Sequence, residues 1–194
     1  MKHQMKYLVL AGTVAALAGC GGGGGTTLST GETYDSMLAK AQAMGDATGV
    51  IDSGSGTIVG TALADVPADG SGTYKGYVEG DANGAGLIGD LTLEVALSRT
   101  EISGSATNFQ HEVDGAYTGT LTMPTTTIQN TDPDEFSGNL TGTLTNGGTD
   151  YATDINLTGN FYDGNGTNTV AGDASISIDG GLPNPGLFIA TQTP

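Results

Sequence analysis

From about Gly72 onward, apolar and polar residues alternate, and run after run carries a glycine on its apolar side. Alternation with a period of two marks half-buried strands. In Leu87–Leu97 one face reads Leu87, Gly89, Leu91, Leu93, Val95 and Leu97, opposite Asp90, Thr92 and Glu94. Phe136–Leu144 sets Phe136, Gly138, Leu140, Gly142 and Leu144 against Ser137, Asn139, Thr141 and Thr143. Tyr151–Phe161 and Val170–Ile178 repeat the pattern, and Asn146-Gly147 and Asp163–Gly166 between the runs have turn chemistry. Weaker runs at Thr73–Gly80, Glu101–Phe109, Gly115–Met123 and Gly186–Ala190 bring the predicted strands to eight.

The glycines decide what the strands build. Gly76, Gly89, Gly104, Gly119, Gly142, Gly159 and Gly172 all fall on apolar faces. A strand glycine costs stability unless the sheet bends sharply or backbones approach closely. A tightly curved small barrel needs such positions, because large and small side chains alternate to fill its taper. Eight strands enclose an interior just wide enough for side chains or one small ligand. The chain is therefore predicted to be all-β, a small eight-stranded antiparallel up-and-down barrel over residues 73–194. Its 34 glycines and lack of tryptophan would also suit a disordered chain, but a disordered chain has no reason to alternate.

The first residues set the compartment. Lys2 and Lys6 lead into an apolar run from Tyr7 to Ala18, followed by Gly19 and Cys20, the one cysteine of the chain. This is the layout of a secretory signal, and Leu17-Ala18-Gly19-Cys20 resembles the lipobox of bacterial lipoproteins. The resemblance implies cleavage after residue 19, acylation of Cys20, and attachment to a bilayer through it. An uncleaved anchor helix is the competing reading, but the apolar run is well short of the roughly 20 residues a spanning helix needs. Acylation also accounts for a single thiol in an exported chain. Residues 20–33 read as a Gly-rich tether, and residues 34–72 as a short helix plus an irregular segment. The helix is expected over Tyr34–Met44, with Leu38, Ala41 and Met44 on one side and Gly45 as its stop. A short strand is expected at Thr57–Thr61.

Without residues 1–19 the cations are Lys40, Lys75 and Arg99 against 21 acidic residues, a net charge of −18. Such a chain repels nucleic acid; basic partners and divalent cations are what it attracts.

Reactive constellations are sparse. Asp52-Ser53-Gly54-Ser55 resembles an aspartic-protease loop, but that chemistry needs two carboxylates sharing a proton. The nearest second loop, Ile178-Asp179-Gly180-Gly181, lacks a Ser or Thr. His111, between Gln110 and Glu112, is the sole histidine after the signal, and so the one candidate haem or metal ligand of that type. Asp163-Gly164-Asn165-Gly166-Thr167 alternates oxygen donors as a calcium loop does, yet Ala174 stands where the bidentate glutamate belongs. Asp132-Pro133-Asp134-Glu135 is read as a solvated acidic loop. Asn139-Leu140-Thr141 and Asn156-Leu157-Thr158 match glycosylation acceptors, which a bacterial lipobox makes incidental. With no acid–base pair legible, no catalytic residue, metal or cofactor is assigned and the chain is expected not to be an enzyme.

Gly104–Phe109, Gly138–Gly142 and above all Gly159-Asn160-Phe161-Tyr162 followed by Ala171-Gly172 resemble the β-barrel domain of transferrin-binding protein B. That domain recurs in many small surface lipoproteins of Gram-negative bacteria. The resemblance spans roughly Thr57 to Ala190 and implies an eight-stranded barrel tethered to the outer membrane and often displayed outside. Asp163 follows Phe161-Tyr162 where the family usually has glycine, and Thr167-Asn168-Thr169 lacks the family's acidic residue. There is room for one barrel, whereas transferrin receptors have two lobes, so transferrin binding does not carry over. Gly21 after the cysteine, rather than Asp, resembles the outer-membrane sorting pattern. The expected function is a monomeric, lipid-anchored binding protein for a small solute or for a host or envelope protein. The alternative is a protective coat lipoprotein with no saturable ligand.

Overall fold

The computed structural model describes residues 31–64, 66, 70–131 and 133–194. The signal segment, Cys20 and nearly all of the tether lie outside these residues, as does Asp132. A helix, α1 (Tyr34–Thr48), is followed by a two-stranded hairpin, β1 (Ile51–Asp52) and β2 (Thr57–Ile58). Eight longer strands then run β3 (Ser71–Ala82), β4 (Ala85–Ala96), β5 (Glu101–His111), β6 (Gly115–Gln129), β7 (Glu135–Asn146), β8 (Thr149–Gly164), β9 (Thr167–Ile178) and β10 (Asn184–Gln192). Each pairs antiparallel with its sequence neighbour, and β10 returns to β3 through Gly186↔Gly80 to Gln192↔Tyr74. The predicted eight-stranded up-and-down barrel is the fold.

The alternation becomes an inside and an outside. Val78, Leu91, Leu93, Leu121, Leu140, Ile155, Leu157 and Ile176 point into the lumen, and no member of that buried cluster is more than 9% exposed. The inward glycines are sockets for these side chains. Gly159 and Gly172 are register partners, and the ring of Phe188 lies where a Cβ on either would stand. Phe109 uses Gly89 in the same way. Phe188 meets Phe136 edge-on at 5.9 Å, and Phe161 meets Tyr74 at 6.4 Å. The lumen is thus packed with rings set into glycine gaps, a layout that carries both curvature and density.

Three departures from strict alternation have local causes. In β5 the register slips between Ala106 and Phe109, with Asn108 at φ 53°. Asparagine tolerates that left-handed backbone, and the extra residue turns Phe109 inward. β6 runs past the expected Met123 to Gln129, although Pro124 has no N–H to give; its ladder with β7 is interrupted from Thr122 to Ile128. There the Thr126 hydroxyl donates to the Ser137 carbonyl instead (3.0 Å). The β7–β8 corner is Gly147-Gly148, at φ 57° and 83°, one residue beyond the expected Asn146-Gly147.

Helix α1 is one turn longer than expected. Gly45 does not stop it but lies within it, buried, because a larger side chain would press on Ile51 of β1. Gly49, at φ 66°, forms the left-handed cap. The buried stripe is Met37, Gly45 and Thr48, rotated from the expected Leu38 side. Thr33 and Ser36 close a capping box, Ser36 N–H donating to Thr33 Oγ1 and Thr33 N–H to Ser36 Oγ. Glu32 bridges Lys40 of the helix to Asn108 Nδ2, which also donates to Asp90 (2.9 Å). Helix and hairpin cover the outer face of one wall, where Val50 packs with Tyr162, Ala171 and Ile189. The strand expected over Thr57–Thr61 is present only as Thr57–Ile58.

Candidate functional site

The antiparallel topology sorts the connections to two ends. The β3–β4, β5–β6, β7–β8 and β9–β10 turns form one, the hairpin end. The β4–β5, β6–β7 and β8–β9 links form the other, together with the chain leading into β3.

The hairpin end is sealed from within. His111, the last residue of β5, is buried. Its ring lies 5.8 Å from that of Tyr117, which lies 5.5 Å from Tyr151. Both imidazole nitrogens are engaged: Nε2 donates to the Ala82 carbonyl (3.0 Å), and Nδ1 accepts from the Asp114 N–H (3.1 Å). This leaves neither nitrogen free for a metal or haem. The Tyr117 hydroxyl donates to Asp114 (3.1 Å), and burial, reinforced by that carboxylate, pushes its pKa up to about 12. Around this plug stand Asp81, Glu112, Asp114, Asp150 and Asp179, and the turn residues include no Lys or Arg. Several carboxylates shape their own turns, as Asp81 does by accepting from Gly84 N–H (2.9 Å) and Asp179 from Ala152 N–H (2.8 Å). Val113 and Leu182 nevertheless project into solvent, 76% and 87% exposed.

The opposite end is crossed by Ala62, Leu63 and Val66. Leu63 N–H donates to the Phe161 carbonyl (2.8 Å), Ala62 forms a bridge with Tyr162, and Val66 N–H donates to Asp134 Oδ2 (2.9 Å). Leu63 and Val66 pack on the lumen cluster. Beside this crossing opens a cleft of about 140 Å³. The described residues that line it include Tyr74, Val95, Leu97 and Phe161 together with the polar Ser71, Asn168 and Gln192. Burial pushes the Tyr74 hydroxyl above its ordinary range.

The sequence candidates are scattered rather than assembled. Asp52 turns the β1–β2 hairpin, its Oδ1 accepting from Gly54 and Ser55 N–H. That hairpin packs beside Tyr162 near the cleft end, whereas Asp179 stands at the hairpin end, so the two carboxylates cannot share a proton. Asn165-Gly166, at φ 53° and 84°, is a tight two-residue turn with Asp163 accepting from Gly166 N–H (2.8 Å). Asp134 is not solvated as expected but buried, clamping Val66 through one oxygen while the other has no partner among the described residues. Asn139 gives its amide to Asp154 on the outer face (2.8 Å). Among the described residues, no group of three or more His, Cys, Asp and Glu side chains is placed to hold a metal ion. None of the helices there is long and apolar enough to cross a membrane.

Sequence reading missed the cleft residues Ser71, Asn168 and Gln192. Their one signal was negative: three polar residues at strand ends where a tapering barrel would otherwise be closed by apolar ones. Compared with protein-family models and with curated proteins, the chain matches none.

Proposed function

We propose that this chain is a membrane-anchored outer-membrane lipoprotein, held through acylated Cys20, that acts as a non-catalytic binding protein for a basic protein of the envelope or of a host. The observation that carries this reading is the filled lumen. A solute inside would have to displace Phe188, Phe136 and Phe161, all nearly or wholly buried, at a cost of several kcal/mol per ring. Recognition then falls to the barrel's surface. The hairpin end offers two apolar side chains amid five carboxylates and no cation in its turns. The β5–β6 and β9–β10 hairpins are diametrically opposite in the strand circle, so Val113 and Leu182 flank the rim. Exposed apolar anchors within a polar surround are how protein interfaces are built, and the negative rim would steer a basic partner toward them. Acyl chains on Cys20 would hold the barrel at the bilayer, since two or more are needed for stable attachment.

The test is affinity capture with the full chain and with a Val113→Asp/Leu182→Asp variant, from envelope extracts and from host fluids. One basic protein should be retained by the parent, released by moderate salt and lost with the variant. Repeated recovery of the parent as an empty monomer, or equal retention by the variant, would overturn the reading. Labelled palmitate should enter the parent and not a Cys20→Ser chain.

A further inference from the structure

We infer that Asn83, in the β3–β4 turn, is a site of spontaneous deamidation, and that the fold protects the other two Asn-Gly pairs from the same reaction. The modification concerns the chain alone and does not depend on any partner at the hairpin end. Asn-Gly occurs three times, at Asn83-Gly84, Asn146-Gly147 and Asn165-Gly166. Turn geometry explains two of these. A two-residue hairpin loop of this kind needs positive φ at both central positions, which asparagine and glycine tolerate. Asn83 and Gly84 stand at φ 56° and 87°, Asn165 and Gly166 at 53° and 84°.

The pair that suits the turn is also chemically labile. Glycine has no Cβ to shield its backbone nitrogen, so that nitrogen can reach the side-chain carbonyl carbon of the asparagine before it. At Asn83 the Gly84 N–H gives its proton to hydroxide and the nitrogen bonds to Asn83 Cγ. The side-chain nitrogen takes up a proton and leaves as ammonia. Water then opens the resulting succinimide. Cleavage of the new N–Cγ bond gives aspartate; cleavage of the original peptide bond gives isoaspartate, with the main chain rerouted through Cγ. Both products carry one more carboxylate than the parent.

The molecule contains its own control. Asp81-Ala82-Asn83-Gly84 and Asp163-Gly164-Asn165-Gly166 form matching turns. In each, the leading aspartate accepts from the closing glycine N–H, at 2.9 and 2.8 Å. The attacking nitrogen is therefore held alike in both, and the asparagine amide makes the difference. Asn165 Nδ2 donates to the Ala47 carbonyl of α1 (3.0 Å), and a Cβ on Gly49 would sit 3.3 Å from it. Asn146 Nδ2 donates to the carbonyls of Asp114 (3.1 Å) and Ala116 (2.9 Å). Asn83 is exposed, and its amide has no such hold among the described residues. To react, Cγ must swing onto the glycine nitrogen, so an amide docked elsewhere has first to break its hydrogen bonds.

The place of the reaction gives it consequences. The β3–β4 turn belongs to the hairpin end, so deamidation of Asn83 adds a sixth carboxylate to Asp81, Glu112, Asp114, Asp150 and Asp179. If that end is read as a docking face, the negative field that steers a basic partner strengthens as the protein ages. An isoaspartate there lengthens the β3–β4 turn by one methylene. Asn165 is spared, and with it the contact that ties the β8–β9 turn to α1.

The experiment is incubation of the full chain in warm, mildly alkaline buffer, with peptide mapping by mass spectrometry at intervals. Conversion should appear first at Asn83, with Asn146 and Asn165 slower by about tenfold, the factor expected when a hydrogen bond must break first. A parallel incubation in guanidinium chloride reads the same three pairs without the fold, and there the rates should converge. Anion exchange should show the folded parent gaining negative charge with time. Asn83→Gly, which keeps a residue suited to positive φ, should gain it about tenfold more slowly, in step with the two protected pairs. Three equal rates in the folded chain, or an Asn83 that stays intact while the unfolded chain converts, would overturn the inference. So would the same order of rates surviving in denaturant, or an Asn83→Gly chain that acidifies as fast as the parent.

Discussion

Two stretches of the same barrel wall have opposite outer faces. Across β6 and β7 the outward residues are threonines in register, Thr118↔Thr145, Thr120↔Thr143 and Thr122↔Thr141, facing solvent. On the strands under α1 and the β1–β2 hairpin, the outward residues are Ile88, Tyr162, Ala171 and Ile189, each 5% exposed or less. The inner faces do not differ in kind: both walls present branched chains, rings and glycine gaps to one lumen. The lumen therefore sets the fold, and the outer face records only whether something covers it.

The lumen is common to both walls, so damage there should be felt most widely. Phe188→Ala empties the space over Gly159 and Gly172 and should cost about 3–5 kcal/mol, read as a fall in the urea midpoint with an unchanged slope. The next test sets the walls against each other. Ile189→Ala on the covered wall should cost about 2–4 kcal/mol, whereas Thr141→Ala on the bare wall should stay within about 0.5 kcal/mol. Equal costs would erase the distinction.

A subtler variant loosens the cover without touching the wall. Thr33→Ala removes the capping box and should cost about 1 kcal/mol. Hydrogen exchange should then quicken in α1 and around Ile88, and stay unchanged across β7. The smallest expected effect is electrostatic. Burial raises the carboxyl pKa of Glu79 on the covered wall, so the folded chain keeps that proton to higher pH than the unfolded chain does. The associated stability is fully present at low pH and declines as pH climbs from the ordinary carboxylate range through the raised value. Glu79→Gln should remove that part of the decline, visible as a difference between variant and parent in urea midpoint against pH.

The same contrast explains what could be read from the sequence. β7 was legible residue by residue because one face is dry and the other wet, which gives clean alternation. Where the outside is covered, both faces are apolar and the period blurs, as at Leu87-Ile88 and Phe161-Tyr162. Strand ends were underestimated for a related reason: once past the lumen, β3 and β8 keep pairing without needing apolar residues. The tail of β6 beyond Pro124 was hidden because a proline usually signals the end of a strand, and here the interrupted ladder absorbs it. Asp134 looked like one more acidic loop residue, since its burial depends on Val66, 68 positions away in sequence. The cleft was invisible for the same reason, being assembled from Ser71, Asn168 and Gln192 at the ends of three strands.

The claim on which the rest turns is that rings fill the barrel, leaving its surface to meet other molecules. Nuclear Overhauser contacts between the Phe188 ring protons and the α-protons of Gly159 and Gly172, measured on the protein alone, test it most directly. Strong contacts to both glycines are predicted. Their absence, with contacts from Gly159 and Gly172 to water or to a co-purified solute instead, would contradict it.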